Sequence, residues 1–215
     1  FIMHIPSRQT EKQEAFLYNY DMIGNQMVNA GALHQMLKPY KAHLITGHTH
    51  YNLNIVFDDN LMEHNTAAVC GTWWKADICL DGTPRGYGVY EVNDNDVKWY
   101  YKSSGYPKEH QFRSYPVGAS KEHPSDIIAN VWNWDKLWKV EWLEDGQLMG
   151  NMTRYTGLDP FASVVCSDRE KMVYTWITPR PTQHMFRATP KNKDAHVTVK
   201  VTDRFGKEYI QTINP

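Results

Sequence analysis

Apolar and polar positions alternate most cleanly near the end of the chain, where Val197, Val199 and Val201 are interleaved with Thr198, Lys200 and Thr202. Successive strand side chains point to opposite faces, so this pattern predicts a half-buried strand. Asp203-Arg204-Phe205-Gly206 reads as a turn, and residues 208–213 as the returning strand. Further strands are expected over residues 127–132, 137–142 and 147–152, the last two joined by Glu144-Asp145-Gly146. Short strands with turns at this spacing predict a small β-sandwich of roughly 100 residues.

The first half reads differently. Residues 1–5 predict a short buried strand stopped by Pro6. Residues 7–24 are polar and irregular, with a short helix expected around 11–17. Met27, Leu33, Met36 and Leu37 recur at helical spacing over residues 26–37, and Pro39 follows. Residues 42–46 predict a strand running into Gly47, and 52–57 and 62–69 two more, separated by Asp58-Asp59-Asn60. A hairpin is expected from 88–92 and 97–101 around residues 93–96. The β–α–β order predicts an α/β layer arrangement followed by an all-β sandwich, β-rich overall. The stretch 102–126, rich in Ser, Gly, Pro, Lys and Glu, places the boundary near residue 110 and gives two domains, 1–110 and 111–215.

Composition narrows the functional classes. The 215 residues carry 23 basic and 24 acidic side chains for a net charge of −1, so the basic footprint of a nucleic-acid binder is absent. No apolar run reaches the ~20 residues needed to span a bilayer. Three cysteines, Cys70, Cys79 and Cys166, give no disulfide framework and no Cys-x-x-Cys zinc pattern; a Cys70–Cys79 bridge is the one pairing considered. The chain opens "FIMHIPSRQ", mid-strand in character and without an initiating Met, which predicts a fragment of a longer protein. No signal peptide is visible.

The chemistry-bearing stretch is "LITGHTHYN", residues 44–52. In an extended segment, side chains two apart share a side, so His48 and His50 would present two imidazoles together. Neutral imidazoles suit Mn, Fe, Zn or similar ions. Gly47 lets the backbone turn where the strand ends, and strand carboxyl ends are where α/β sheets hold ligands. Two surface histidines would give the same spacing. The glycine, the preceding apolar strand and a second strand-end histidine, His4 in "FIMHIP", favour the metal reading.

These residues resemble the calcineurin-like metallophosphoesterases. Such chains carry Asp-x-His, Gly-Asp and Gly-Asn-His, then a lone His after an apolar strand, then Gly-His-x-His. "FIMHIP" resembles the fourth block and "LITGHTHYN" the fifth, in the right order. "CGTWWKADICLDGTPRGYGVYEV", "NVWNWDKLWKVEWLEDG" and "VKVTDRFGKEY" resemble a bacterial subgroup with an extra C-terminal β domain. The resemblance implies two divalent metal ions, with His4 and His48 on one and His50 on the other, and a metal-activated water attacking a phosphomono- or phosphodiester. It also implies export to the periplasm or cell surface. The first three blocks do not precede His4, so the bridging Asp, the Asn ligand and the catalytic His lie outside this sequence, with the N-terminal half of the same domain. No catalytic residue is assigned within the chain. The fragment alone is expected to bind metal poorly and to be inactive. Asp194-Ala195-His196 and Gly24-Asn25 echo the missing blocks but stand in the wrong place or context.

His64, Trp73 and Trp74 are candidate substrate-binding residues. The alternative for His64 is a strand-surface histidine. For the tryptophans, it is a strand pair split between core and solvent. Asp81-Gly82-Thr83-Pro84 reads as a turn, and His34 and His43 as structural histidines. Trp132, Trp134, Trp138 and Trp142 read as sandwich core. The rival function is a glycan-binding or scaffold module that presents those rings to solvent and catalyses nothing.

Overall fold

A computed structural model describes residues 1–8, 25–192 and 194–213. The short helix expected around 11–17 lies outside the described residues. Helix α1 (Ala30–Leu37) precedes strands β1 (Ala42–Thr46), β2 (Leu53–Val56) and β3 (Leu61–Asn65). These form a sheet ordered β1-β3-β2, with β1 parallel and β2 antiparallel to β3. The N-terminal segment extends the sheet along β1: Met3 N donates to Ile45 O at 3.0 Å, and Gly47 N to His4 O at 3.1 Å. The pairing matches the expected strand, but Phe1 and Ile2 are exposed, not buried. In α1 the expected apolar stripe is partial: Leu37 is buried and Leu33 packs beside it, whereas Met36 faces solvent.

Strands β4 (Gly86–Asn93) and β5 (Asp96–Ser103) form the expected hairpin. The rest is a two-sheet sandwich built from β6 (Arg113–Tyr115), β7 (Ile127–Asn130), β8 (Lys139–Glu144), β9 (Gln147–Asn151), β10 (Thr153–Gly157), β11 (Thr182–Ala188), β12 (Val197–Thr202) and β13 (Glu208–Ile213). One sheet runs β10-β11-β7-β6 and the other β13-β12-β8-β9. Alternation explains the core. Val197, Val199 and Val201 of β12 and Val140 and Trp142 of β8 meet Ile127 and Ala129 of β7 and Phe186 of β11. The turns carry the chemistry they need: Asp145 and Gly146 both have positive φ between β8 and β9. Asp203 Oδ1 accepts from the amides of Phe205 and Lys207 between β12 and β13.

The region after residue 126 is not all strand. Helix α2 (Pro160–Ser167) interrupts it. Asp159 caps it, accepting from Ala162 N at 2.8 Å, and Pro160 takes the first turn, where its missing N–H costs nothing.

The two halves meet through a buried polar network. Asp81 Oδ2 accepts from Asn52 N at 3.0 Å and Thr83 Oγ1 at 2.7 Å, and faces His184 Nε2 at 3.2 Å. Asn130 Nδ2 donates to Asp81 O and to Asp159 Oδ2, which fixes its carbonyl toward His184 Nδ1 at 2.7 Å. Both His184 nitrogens therefore face oxygen atoms of the network. Tyr115 closes the network by donating to Asp159 Oδ2 at 2.6 Å. The Asp81-Gly82 turn is more than a bend. A Cβ on Gly82 would lie 2.1 Å from Asp159 Cγ.

Candidate functional site

Strand β1 delivers its chain to Gly47, and the adjacent N-terminal segment delivers His4 to the same end of the sheet. His48 Nδ1 and His4 Nε2 come to 2.9 Å, with ring centroids 4.7 Å apart and edge-to-face. His48 Nε2 lies 2.9 Å from Asn25 Oδ1. Donating to that carbonyl leaves His48 Nδ1 as the acceptor of His4 Nε2–H. Asn25, set aside in the sequence as an echo of Gly-Asn-His, thus meets the histidine pair. Only a long-range contact could have revealed this.

The Gly-His-Thr-His segment is not extended. His48 has φ of 70° and His50 of 59°, so both occupy the left-handed region that residues other than glycine seldom adopt. The i, i+2 argument for one shared side does not hold here. His48 turns to His4, and His50 turns to Cys70 Sγ at 3.7 Å and to the Trp73 ring at 4.9 Å. His50 stays within electrostatic reach of the pair. Burial lowers its imidazole below the usual value, and His48 and His4 add to the effect.

The loop is braced from below. Asn65 Nδ2 donates to Thr49 Oγ1 and Tyr51 O, and Asn52 Oδ1 accepts from Ala67 N at 2.7 Å. Cys70 and Cys79 are both free thiols, so the considered bridge does not form.

The two tryptophans do not split across a strand. Trp73 and Trp74 lie in a turn with φ of 46° and 64° and are 38% and 72% exposed. Trp73 meets Trp176, a residue from beyond α2, edge-to-face at 4.6 Å, and Tyr174 stacks on Trp176 at 5.6 Å. An aromatic wall therefore rises beside His50. Trp176 and Tyr174 carried no motif that would have singled them out. His64 has other company: it is 2% exposed, bonded to His43 Nδ1 at 2.9 Å and packed on Trp99 at 4.6 Å. Burial holds its pKa well below the usual value, with His43 and Arg204 adding to the shift. The structure places it in the core beneath the β4–β5 hairpin and not at the His4–His48 pair. Trp132, Trp138 and Trp142 are buried, and Trp134 lies under the Arg154 guanidinium at 3.7 Å. The solvent-facing tryptophan face that a glycan-binding sandwich requires is thus missing among these residues.

A family model described as the C terminal of calcineurin-like phosphoesterase matches residues 63–209. The chain belongs to this family. No curated protein and no solved structure matches it. The match to the calcineurin-like phosphoesterase C terminus runs from β3 to β13 and takes in Trp73, Trp74 and Trp176, while His4, His48 and His50 precede it.

This superfamily generally uses metal ions. Among the described residues no three His, Cys, Asp or Glu side chains converge as a metal site. His4 and His48 direct their imidazoles at each other and His50 turns to Cys70, so these three residues supply nitrogen donors and no carboxylate. A pair of divalent ions needs anionic ligands that these residues lack. Taken alone they do not fit a two-metal cluster.

Proposed function

We propose that this chain is part of a phosphoric ester hydrolase acting on a phosphomono- or phosphodiester, and that His4, His48 and His50 are its contribution of nitrogen donors to a two-metal site. The carboxylate ligands would come from residues outside this sequence. The observation that carries this reading is the His4–His48 approach: two residues 44 apart in sequence meet at 2.9 Å at one end of a sheet. Membership in the phosphoesterase family sets the reaction class. Metal identity is open among Mn, Fe, Zn and similar ions.

Trp73 and Trp74, with Trp176 and Tyr174, would face the organic part of the ester. Aromatic faces bury planar or apolar groups while leaving the phosphate toward the imidazoles. Periplasmic or cell-surface residence is proposed on the resemblance alone.

The test is hydrolysis of a phosphomonoester and a phosphodiester chromogenic substrate by the protein together with whatever its coding sequence places before Phe1. Activity that requires added Mn²⁺ or Zn²⁺ and falls at least a hundredfold in His48→Ala is the expected outcome. Wild-type turnover in His48→Ala would overturn the assignment. If no substrate is turned over and His4→Ala and His48→Ala leave metal affinity unchanged, the scaffold reading takes its place.

A further inference from the structure

Strand β3 carries a carboxylate where a strand buried on both faces would ordinarily be apolar. Glu63 is fully buried. Its Oε1 accepts from Ser7 N at 2.7 Å and from Thr46 Oγ1 at 3.1 Å, and its Oε2 accepts from Ser7 Oγ. Ser7 Oγ has one hydrogen, given to Glu63, so it accepts from His34 Nε2–H at 2.8 Å. The positions of these partners are informative. Ser7 stands three residues after His4, and Thr46 stands two before His48. One carboxylate therefore grips both chain segments that present the histidine pair.

We propose that Glu63 is a positioning residue: its carboxylate ties the segment after His4 to the segment before His48 and so sets the approach of their imidazoles.

Cost supports the assignment. Burying a carboxylate is unfavourable unless hydrogen bonds compensate it. Burial pushes the Glu63 carboxyl up, and the bonds from Ser7 and Thr46 pull it back. Backbone bonds already pair the two segments up to His4 and Gly47; an apolar residue would fill the same place without that cost but would add no side-chain tie between Ser7 and Thr46. Asn65, two residues along and on the same side of β3, grips the other half of the loop through Thr49 and Tyr51. Polar side chains of one strand face thus brace the loop on both sides of His48.

The experiment reads geometry and leaves turnover aside. In ¹⁵N-labelled full chain, the hydrogen bond between His48 Nδ1 and His4 Nε2 gives a through-bond nitrogen–nitrogen coupling and short ring-to-ring proton distances. Glu63→Ala should abolish both while the β4–β5 and sandwich amide signals keep their positions. Glu63→Gln, which keeps one acceptor oxygen, should retain the signals at reduced strength. Unchanged His4–His48 signals in a folded Glu63→Ala variant would overturn the proposal. Should Glu63→Ala fail to fold, Thr46→Val decides. It removes only the grip beside His48 and is expected to weaken the coupling; an unaltered coupling would overturn the proposal as well. The inference takes its interest from the hydrolase reading, yet its readout is independent. Wild-type turnover in His48→Ala would sink that reading and leave this one standing.

Discussion

Strands β12 and β3 each lie between two partners, and they are built on opposite plans. In β12 the valines enter the core and the threonines and lysine face outward, giving an alternating burial pattern. In β3 all five residues are buried, and three of them are Glu63, His64 and Asn65. Apolar burial stabilises without direction, at about 25 cal/mol for each Å² removed from water. Buried polar groups contribute little net stability but fix where their partners must stand. The sandwich around β12 supplies cohesion, while the sheet around β3 supplies placement.

That contrast can be attacked from its strong end first. Trp142→Ala empties a ring from between the sandwich sheets. It should lower unfolding free energy by about 3–5 kcal/mol in urea titration, and a loss below about 1 kcal/mol would contradict the packed core. Asp81→Ala should cost about 1–3 kcal/mol for each buried donor left without a partner. It should also hasten hydrogen exchange at the Asn52 amide, which Asp81 now holds; an unaltered exchange rate would detach the network from the histidine loop.

Acid sharpens the comparison further. The His64 pKa is held well below 6.5 in the fold by burial, so below that pH the unfolded chain takes up a proton that the folded chain refuses. Stability from this residue is complete above about pH 6.5 and is lost as pH falls, at about 1.4 kcal/mol per pH unit for one proton. His110, lowered to about 4 by burial and Arg113, acts in the same direction between 6.5 and 4. Raised carboxyls at Glu63 and Asp135 oppose the trend, so the informative quantity is a difference. His64→Phe should have a shallower acid slope than the wild type, whereas parallel slopes would show that the histidine titrates freely. The smallest effect belongs to Trp176→Ala. Half-exposed, it should move stability by no more than about 0.5 kcal/mol, yet it should change the near-ultraviolet circular dichroism by removing the Trp73 contact.

The same contrast explains how much could be read from the sequence. Strands with Val, Ile or Trp at alternate positions, among them β8 and β12, were legible because periodicity encodes their burial. Strands β10 ("TRYTG") and β11 ("TQHMFRA") have polar residues at most positions and gave no such signal. Helix α2 did leave one, since Asp159-Pro160 is a helix-start pair, but strand-like surroundings masked it. His4 and His48 were each legible from strand-end placement, while their pairing followed only from the family resemblance. Their neighbours Asn25, Glu63 and Trp176 were not legible, because each acts through a contact spanning tens of residues. The left-handed turns at His48 and His50 were also invisible, since the local sequence offers no glycine at either position.

The buried junction has a consequence for inheritance. A crossover near residue 110 would place Asp81 and Gly82 from one parent against Asn130, Asp159 and His184 from another. Asp159 leaves no room for a side chain at Gly82, and Asn130 and His184 each answer a specific atom of Asp81. Chimeras should therefore fold only when both parents carry the same polar set. The junction acts as a compatibility lock, and recombination would pass the stretch from β3 through the sandwich as one block more readily than as two exchangeable halves.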